Sequence, residues 1–310
     1  MSADHSLEGI AALRHLGVIR ARGDDAVSFL QGQLTNDVAG LGVSEARLAG
    51  YCSAKGRLLA SFIVWKAAQD ELLLACSADV LTATLKRLSM FVLRAKCRLS
   101  DASDEVRLFG LTGAVAQAWL GESAPASAWR AVQREGARVL RLPDAVATPR
   151  YILAADAGSF VPELAALSLD AWRWLEVQSG VPLIEAVNVE QFVPQMVNLE
   201  LVGGVNFQKG CYPGQEIVAR SHYRGTLKRR MALFDTSGDA HAGDEVFHDG
   251  DPEQPAGRVV NAAPDPRGGS SALIEVKLAA LSGGGLHLRS VQGAALERRE
   301  LPYALAFESA

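Results

Sequence analysis

The chain has 310 residues, 49% of them hydrophobic, and its 31 lysines and arginines against 35 aspartates and glutamates give a net charge of −4 at pH 7. That length and apolar content allow two domains, or one elaborate domain, with substantial cores. The acidic balance argues against a DNA-binding protein and against general nucleic-acid affinity, which goes with a basic surface. Any RNA partner is therefore expected to be engaged locally or indirectly.

The start of the sequence and its cysteines bear on location. The first six residues contain an aspartate and no apolar signal-peptide region, and no window is long and apolar enough to span a bilayer. We therefore expect a soluble cytoplasmic protein without a membrane partner. The four cysteines, Cys52, Cys76, Cys97 and Cys211, lie far apart and form no Cys-x-x-Cys pair. This spacing predicts reduced thiols and gives no support for an intrinsic metal or iron–sulfur site.

The first hundred residues show helix and strand patterns typical of an α+β fold. A helix is predicted from Asp24 to the glycines at 40 and 42, because apolar residues recur at three- and four-residue steps from Val27 to Val38. A second amphipathic helix is predicted after Asp79. Between the two helices, three strands are expected to form an antiparallel meander, at 46–53, 56–67 and 70–76.

The pattern then repeats in kind, which predicts a second α+β module in tandem. Its expected elements are a strand to residue 111, a helix at 112–121, strands around 139 and at 151–154, and a capped helix at 168–180. After residue 225 come short strand-like runs at 230–235, 244–248, 257–260, 272–278 and 286–290, with a tail at 301–307. Six such strands predict a small antiparallel β-barrel. We therefore expect a domain at 1–225, with modules at about 1–100 and 101–225, and a barrel at 226–310.

Residues 206–225 concentrate the unusual chemistry of the sequence, and read Asn-Phe-Gln-Lys-Gly-Cys-Tyr-Pro-Gly-Gln-Glu-Ile-Val-Ala-Arg-Ser-His-Tyr-Arg-Gly. Pro213 suits the first turn of a helix, so a helix is predicted to begin at Tyr212 or Pro213. Cys211 would lie at the positive end of that helix, two residues after Lys209, where the thiolate fraction of a cysteine rises. Cys211 is therefore a candidate catalytic group. The alternative is an inert thiol, the usual state of an isolated cysteine.

A basic strip accompanies this segment. Its members are Lys209, Arg220, Arg224, Lys228, Arg229 and Arg230, and the single acid among them is Glu216. Such a strip attracts polyanions or docks a partner. The alternative is that these cations complement the dipole at a helix end.

The same segment resembles a known signature. Lys-Gly-Cys-Tyr-Pro-Gly-Gln-Glu at 209–216, Val-Ala-Arg at 218–220 and Tyr-Arg-Gly at 223–225 are similar to the motif of the YgfZ family of folate-binding proteins, relatives of the glycine-cleavage aminomethyltransferase (T-protein). The resemblance extends to 29–37, 51–57, 172–182 and the C-terminal strands, and is weakest at 101–167. It implies an aminomethyltransferase-like fold, with tetrahydrofolate or a one-carbon derivative as the bound ligand.

The resemblance also implies a role and a set of site residues. The family supports the assembly or repair of iron–sulfur enzymes, among them enzymes that modify tRNA, so iron–sulfur proteins and assembly factors are the implied partners and tRNA is an indirect one. Cys211 is implied as the key group. The implied folate-binding residues are Trp172, Glu176, Lys209, Tyr212, Gln215 and Arg220, together with Leu16, which occupies a position where the family has an aromatic residue.

Trp172 and Glu176 lie four residues apart, on one face of the helix predicted at 168–180. An aromatic ring beside a carboxylate suits a pterin, which needs stacking for its flat ring and an acceptor for its N–H groups. Spacing alone favours the alternative, in which Trp172 is a core residue and Glu176 a surface residue. The resemblance favours the folate site.

One strand of the first module bears on catalysis. The T-protein has acidic residues on the strand after its Gly-Gly turn, one of which activates folate, whereas the corresponding strand here has Ala60 and Ser61, which lack carboxylates. Aminomethyl transfer is therefore disfavoured. Three hypotheses stay open: Cys211 acts as a thiolate on a folate-carried one-carbon unit or a damaged cluster; the chain is a non-catalytic, folate-gated scaffold; or another carboxylate restores a one-carbon transferase.

Overall fold

The structure is a computed structural model that describes residues 7–223 and 227–305. Within these residues the strands are β1 Gly9–Ala12, β2 Leu16–Arg22, β3 Ala46–Cys52, β4 Leu58–Ala68, β5 Glu71–Ser77, β6 Arg98–Asp101, β7 Val106–Thr112, β8 Ala131–Arg134, β9 Ala137–Ala145, β10 Thr148–Asp156, β11 Arg229–Thr236, β12 Glu245–His248, β13 Gly257–Pro264, β14 Ser270–Lys277, β15 Leu286–Leu288 and β16 Leu296–Arg299. The α-helices are α1 Ala26–Gln31, α2 Ala78–Ser89, α3 Gly113–Leu120, α4 Leu169–Gln178 and α5 Gln215–Tyr223.

The strands form three antiparallel sheets. The first sheet has the order β3-β4-β5-β2-β6, the second β1-β7-β10-β9-β8, and the third β15-β12-β13-β14-β11-β16. The two edge strands of the third sheet are β15 and β16. A bridge between His287 of β15 and Ala295, the residue before β16, brings these edges together, so the sheet is a nearly closed barrel. The predicted α+β class with mostly antiparallel sheets and a C-terminal barrel is therefore confirmed.

The first sheet is buried on both faces, which explains its run of apolar residues. In β5, Leu72, Leu74 and Cys76 face a core shared with α1 and α2. The residues between them, Leu73 and Ala75, face a second core that also contains residues of the second sheet. Successive side chains of a strand point to opposite faces, so one strand contributes to both cores.

Helix α1 is shorter than predicted. It ends at Gln31, although the periodic apolar pattern continues to Val38. Thr35 explains the early end, because its amide donates to the Gly50 carbonyl at 2.9 Å and its hydroxyl lies 2.7 Å from the Gly50 amide and donates to the Gly204 carbonyl at 2.6 Å. These contacts pull the chain onto the sheet, a known way in which threonine competes with helix.

Four strands were not predicted, namely β1, β2, β6 and β8. Strand β1 pairs with β7 and so belongs to the second sheet, while β2, which follows directly, belongs to the first. The predicted tail strand is also displaced, since the last described strand is β16 and residues 301–305 form none. Residues 306 and 307 of that prediction lie outside the described residues. The division into domains at 1–225 and 226–310, with its two modules, stays a prediction.

Helix α4 joins the three sheets. Its Ser168 cap accepts a hydrogen bond from the Ala171 amide at 3.1 Å, as the sequence predicts. Trp172 lies in the core between the first two sheets. Trp174 faces the barrel, where its indole Nε1 donates to the Ser271 hydroxyl at 3.0 Å. No described helix is long and apolar enough to cross a bilayer.

Candidate functional site

A cavity lies where the first two sheets meet α4 and the loop after it. Most of its lining is apolar, and its polar lining residues in the described chain are Ser61, Arg150, Glu176 and Ser179. Its volume is about 60 Å³, well below the roughly 300–1,000 Å³ of typical small-molecule sites. A bicyclic ligand would therefore need side chains at the wall to move.

Arg150 is the unusual residue of this wall. It stands on β10 in an otherwise apolar run and is 2% exposed. Its Nε donates to the Pro143 carbonyl at 3.1 Å, its guanidinium lies 5.5 Å from the centre of the Trp172 ring, and its buried Nη1 has no hydrogen-bond partner. Burial lowers the pKa of Arg150 to about 10, against the opposing charges of Glu176 and Asp144. A buried cation with an unpaired donor favours an acceptor on a ligand.

Glu176 supplies the opposite charge. Trp172 Nε1 donates to its Oε1 at 2.8 Å, and His15 Nε2 lies 2.9 Å from its Oε2. Burial alone would raise the pKa of Glu176, but the charge and hydrogen bond of His15, the charge of Arg150 and the Trp172 hydrogen bond together hold it below its ordinary value. The carboxylate is therefore ionised at neutral pH.

Trp172 does not have the exposure that the sequence prediction required. Its ring is 0% exposed, and a Cβ added to Gly110 would lie 2.3 Å from its Cε3. With Arg150 close to the ring and Gly110 against it, Trp172 offers no open face for stacking and instead orients the carboxylate of Glu176. Leu16, in contrast, lines the cavity.

The central segment 206–223 folds as a loop followed by α5. The helix begins at Gln215, later than the predicted start at residue 212 or 213. Gly214 explains the difference, since its φ of +78° is not helical and a Cβ there would lie 2.4 Å from the Ser53 carbonyl oxygen. The loop packs against the turn after β3, which only glycine allows. Exposed Cys211 therefore lies four residues before the helix, outside its first turn.

Lys209 and Tyr212 of the motif are engaged by other parts of the folded chain. Lys209 directs its ammonium at the carbonyls of Gln31 and Leu34, at the end of α1, and burial lowers its pKa to about 8. Tyr212 is 7% exposed and belongs to the core. None of the described motif residues lines the cavity; Lys209, Cys211, Tyr212, Gln215 and Arg220 are all absent from its wall. The cavity wall therefore contains Leu16 and Glu176 but none of the predicted site residues of the segment 209–220.

Three arginines of the basic strip form ion pairs with glutamates of the same chain. Arg220 donates to Glu216 at 2.6 Å within α5, Arg229 forms an ion pair with buried Glu275, and Arg230 forms one with Glu200. Arg224 lies outside the described residues. The polyanion-attracting surface expected from sequence is therefore largely neutralised where the structure describes it.

Similarity to named proteins assigns the chain to a family. A family model described as the GCVT N-terminal domain matches residues 5–135. The tRNA-modifying protein YgfZ of Edwardsiella ictaluri (strain 93-146) is 36% identical over 257 residues, covering 74% of this chain and 72% of that protein. The protein of the same name from Sodalis glossinidius (strain morsitans) is 32% identical over 313 residues, covering 96% and 93%. The chain belongs to the YgfZ family.

The fold of this YgfZ-family protein also has a solved counterpart. The crystal structure of glycine cleavage system aminomethyltransferase T from Bartonella henselae matches it with a TM-score of 0.75, covering 95% of this chain and 86% of that chain at 18% identity. The similarity at this identity concerns the fold, and it confirms the aminomethyltransferase-like architecture.

Ser61 and the distribution of metal-ligating residues bear on which reactions this YgfZ-family protein could catalyse. Ser61, on the strand where the T-protein has acidic residues, does line the cavity, but its hydroxyl is hydrogen-bonded to the Ile184 amide at 3.0 Å. No group of three or more His, Cys, Asp or Glu residues that could hold a metal ion is found in the described part of the chain.

Sequence reasoning missed three residues of this wall or its support, namely His15, Trp129 and Arg150. Trp129 and Arg150 line the cavity, and His15 reaches it through Glu176. The signal for Arg150 is a charge directly before the apolar run 151–155. His15 and Trp129 carry no local signal.

Proposed function

We propose that this YgfZ-family protein binds tetrahydrofolate or a one-carbon derivative in the cavity beside α4. We further propose that it supports the assembly or repair of iron–sulfur enzymes, including enzymes that modify tRNA, with Cys211 as the key group. The ligand class is supported by the GCVT match, and the link to tRNA modification by the names of the relatives. The iron–sulfur role is supported by the resemblance of residues 209–216 to the family motif.

The observation that carries folate binding is the pair of opposite charges in an apolar wall. A reduced pterin has N–H donors and an oxo acceptor on one flat ring, so it needs an acceptor and a donor held close together. The Arg150 Nη1 is a buried donor without a partner. The Glu176 carboxylate accepts from Trp172 and His15, and an ionised carboxylate has about four acceptor positions, so capacity remains. The donor on Arg150 and the acceptor on Glu176 therefore match the polar groups of the ring.

Replacing Arg150 by Met tests the proposal. We expect the affinity for tetrahydrofolate, measured by calorimetry under anaerobic conditions, to fall about 10- to 100-fold, because a charge-assisted hydrogen bond is lost. Some stability should also be lost, because Glu176 loses a neighbouring cation. Thermal unfolding therefore has to confirm that the variant is folded at the temperature of the titration. The control is Arg107→Met, which removes an exposed arginine near Phe109. Unchanged affinity in Arg150→Met, or no saturable binding by the wild type, contradicts the proposed site.

One observation favours the scaffold as a second candidate function. Cys211 is exposed and does not line the cavity, so a direct attack of its thiolate on a cavity-bound one-carbon unit is not supported by this geometry. Of the other thiols, Cys52 and Cys76 are buried, and burial raises the pKa of each to about 12. Cys211 is therefore the thiol most accessible to a partner.

Replacing Cys211 by Ser separates the candidates. If the thiol acts chemically, cells that carry Cys211→Ser as their only copy should lose iron–sulfur enzyme activity, while the purified variant keeps its tetrahydrofolate affinity and partner association. The control is Cys97→Ser, which removes a half-buried thiol. Full activity with Cys211→Ser would instead support the non-catalytic scaffold.

A further inference from the structure

We infer that Trp129 is the aromatic wall against which the flat ring of the cavity's ligand stacks. This inference rests on the proposed folate site and adds a residue to it. Trp129 lies in the segment between α3 and β8, a part of the chain in which the family resemblance is weak. Its side chain lines the cavity together with Leu16, Arg150 and Glu176.

The alternatives for this role are few. Among the described lining residues the aromatic ones are Phe62 and Trp129. Phe62 is 1% exposed and belongs to the core on the helix side of the first sheet, so its ring is already covered. Trp172 does not line the cavity and is fully buried. Trp129 is half-buried, so it retains surface that a flat ligand can cover.

The backbone of Trp129 is held in an unfavourable conformation. Its φ is +66°, in the left-handed region that bulky residues rarely adopt. Two hydrogen bonds hold it there: its amide donates to the Arg141 carbonyl of the second sheet at 2.8 Å, and its carbonyl accepts from the Ala46 amide of the first sheet at 2.8 Å. Such strain persists where the surroundings over-determine it, and it concentrates at ligand sites.

These two hydrogen bonds hold Trp129 where the first and second sheets meet. Trp129 and Ile63 pack against two of the hydrophobic cores, the one shared with α4 and the barrel and the one between the two sheets. A flat aromatic ligand gains most from an aromatic partner that is already immobile, because less conformational freedom is lost on binding. The polar edge of the same ligand would then meet Arg150 and Glu176.

Two substitutions of Trp129 test the inference. Trp129→Phe keeps an aromatic face, whereas Trp129→Asn removes it but tolerates the left-handed backbone, since asparagine adopts positive φ readily. With tetrahydrofolate as the probe, we expect the Phe variant to bind within about threefold of the wild type and the Asn variant to bind at least about tenfold more weakly, in line with aromatic stacking energies. Because the Asn variant also loses packing against two cores, thermal unfolding is used to confirm that both variants are folded at the temperature of the titration.

Tryptophan fluorescence supplies a second readout. A ring stacked on Trp129 quenches that indole, so Trp129→Phe should lose a large share of the ligand-induced quenching. The control Trp119→Phe should keep it, because Trp119 lies on α3 beside Arg134, away from the cavity. If the wild type binds tetrahydrofolate and Trp129→Asn binds equally well, or if quenching is unchanged in Trp129→Phe, the inference is overturned while the proposed function stands. If the wild type does not bind, the proposed function fails first.

Discussion

Glu176 shows how a partly buried carboxylate is kept charged at the site. It has Trp172 and His15 as hydrogen-bond partners and Arg150 as a neighbouring cation. The four side chains come from β10, α4 and the loop before β2, so the arrangement forms only in the folded chain. Each partner depends on the others, because removing one leaves a buried polar group unsatisfied.

Replacing Glu176 by Gln should destabilise the protein in a pH-dependent manner. Glutamine can still accept from Trp172 but leaves Arg150 and His15 without their anion, which we expect to cost about 1–3 kcal/mol of unfolding free energy at pH 7. Because folding lowers the pKa of Glu176, the contribution is fully present above the ordinary value and is lost as the pH falls through the folded-state value. Urea unfolding at pH 7 and in acid checks this: the difference between variant and wild type should shrink in acid, and a difference that grows would contradict it.

At the scale of helices and strands, the local sequence pattern and contacts between residues distant in sequence together decide where each element ends. The strands β3, β4 and β5, the helix α2 and the capped helix α4 follow the sequence pattern closely, because their partners are adjacent or their caps are local. Helix α1 does not, because the Thr35 hydroxyl is hydrogen-bonded to Gly50 and Gly204. Gly204 is far away in sequence. The pattern of apolar residues cannot report such a contact.

The same limit applied to the site. The sequence identified the wall residues Leu16 and Glu176 through the family resemblance, and it placed Trp172 on the right helix. It could not predict that Trp172 would be covered, because Gly110 and Arg150 come from other strands. Nor could it predict Trp129 or His15, whose roles depend on the meeting of two sheets.

The loop that carries Cys211 depends on a close contact between two glycines. Gly214 has a φ of +78° and Gly56 has a φ of +70°, and a Cβ on Gly214 would lie 2.6 Å from the Cα of Gly56. This contact sets where α5 begins and therefore where the exposed thiol lies relative to the first sheet.

Replacing Gly214 by Ala should displace this loop. We expect a loss of about 2–4 kcal/mol in unfolding free energy, since alanine meets both an unfavourable φ and the backbone of the facing turn. The matched control is Gly210→Ala, where an added Cβ meets nothing within 4 Å and the φ is not positive. Chemical denaturation and the labelling rate of Cys211 would measure both effects. Equal stability of the two variants would contradict the role given to Gly214.

At the scale of the whole molecule, α4 couples the cavity to the barrel. Glu176 lines the cavity, whereas Trp174 of the same helix contacts Ser271 of β14. The loop after the helix is tied to β13, where the Leu183 amide donates to Asn261 at 2.9 Å. Residues of the first sheet, α4 and the barrel share one hydrophobic core. A ligand that orders the cavity wall would therefore also stiffen the contact with the barrel.

The pairing of β1 with β7 has a consequence for biosynthesis. Ala12 pairs with Phe109 and Gly9 with Thr112, so β1 leaves the ribosome before its partner strand, which is made about a hundred residues later. At translation rates of about 5–20 residues per second, that delay is roughly 5–20 s. Over this interval the nascent chain presents an unpaired strand edge, the kind of surface that chaperones shield.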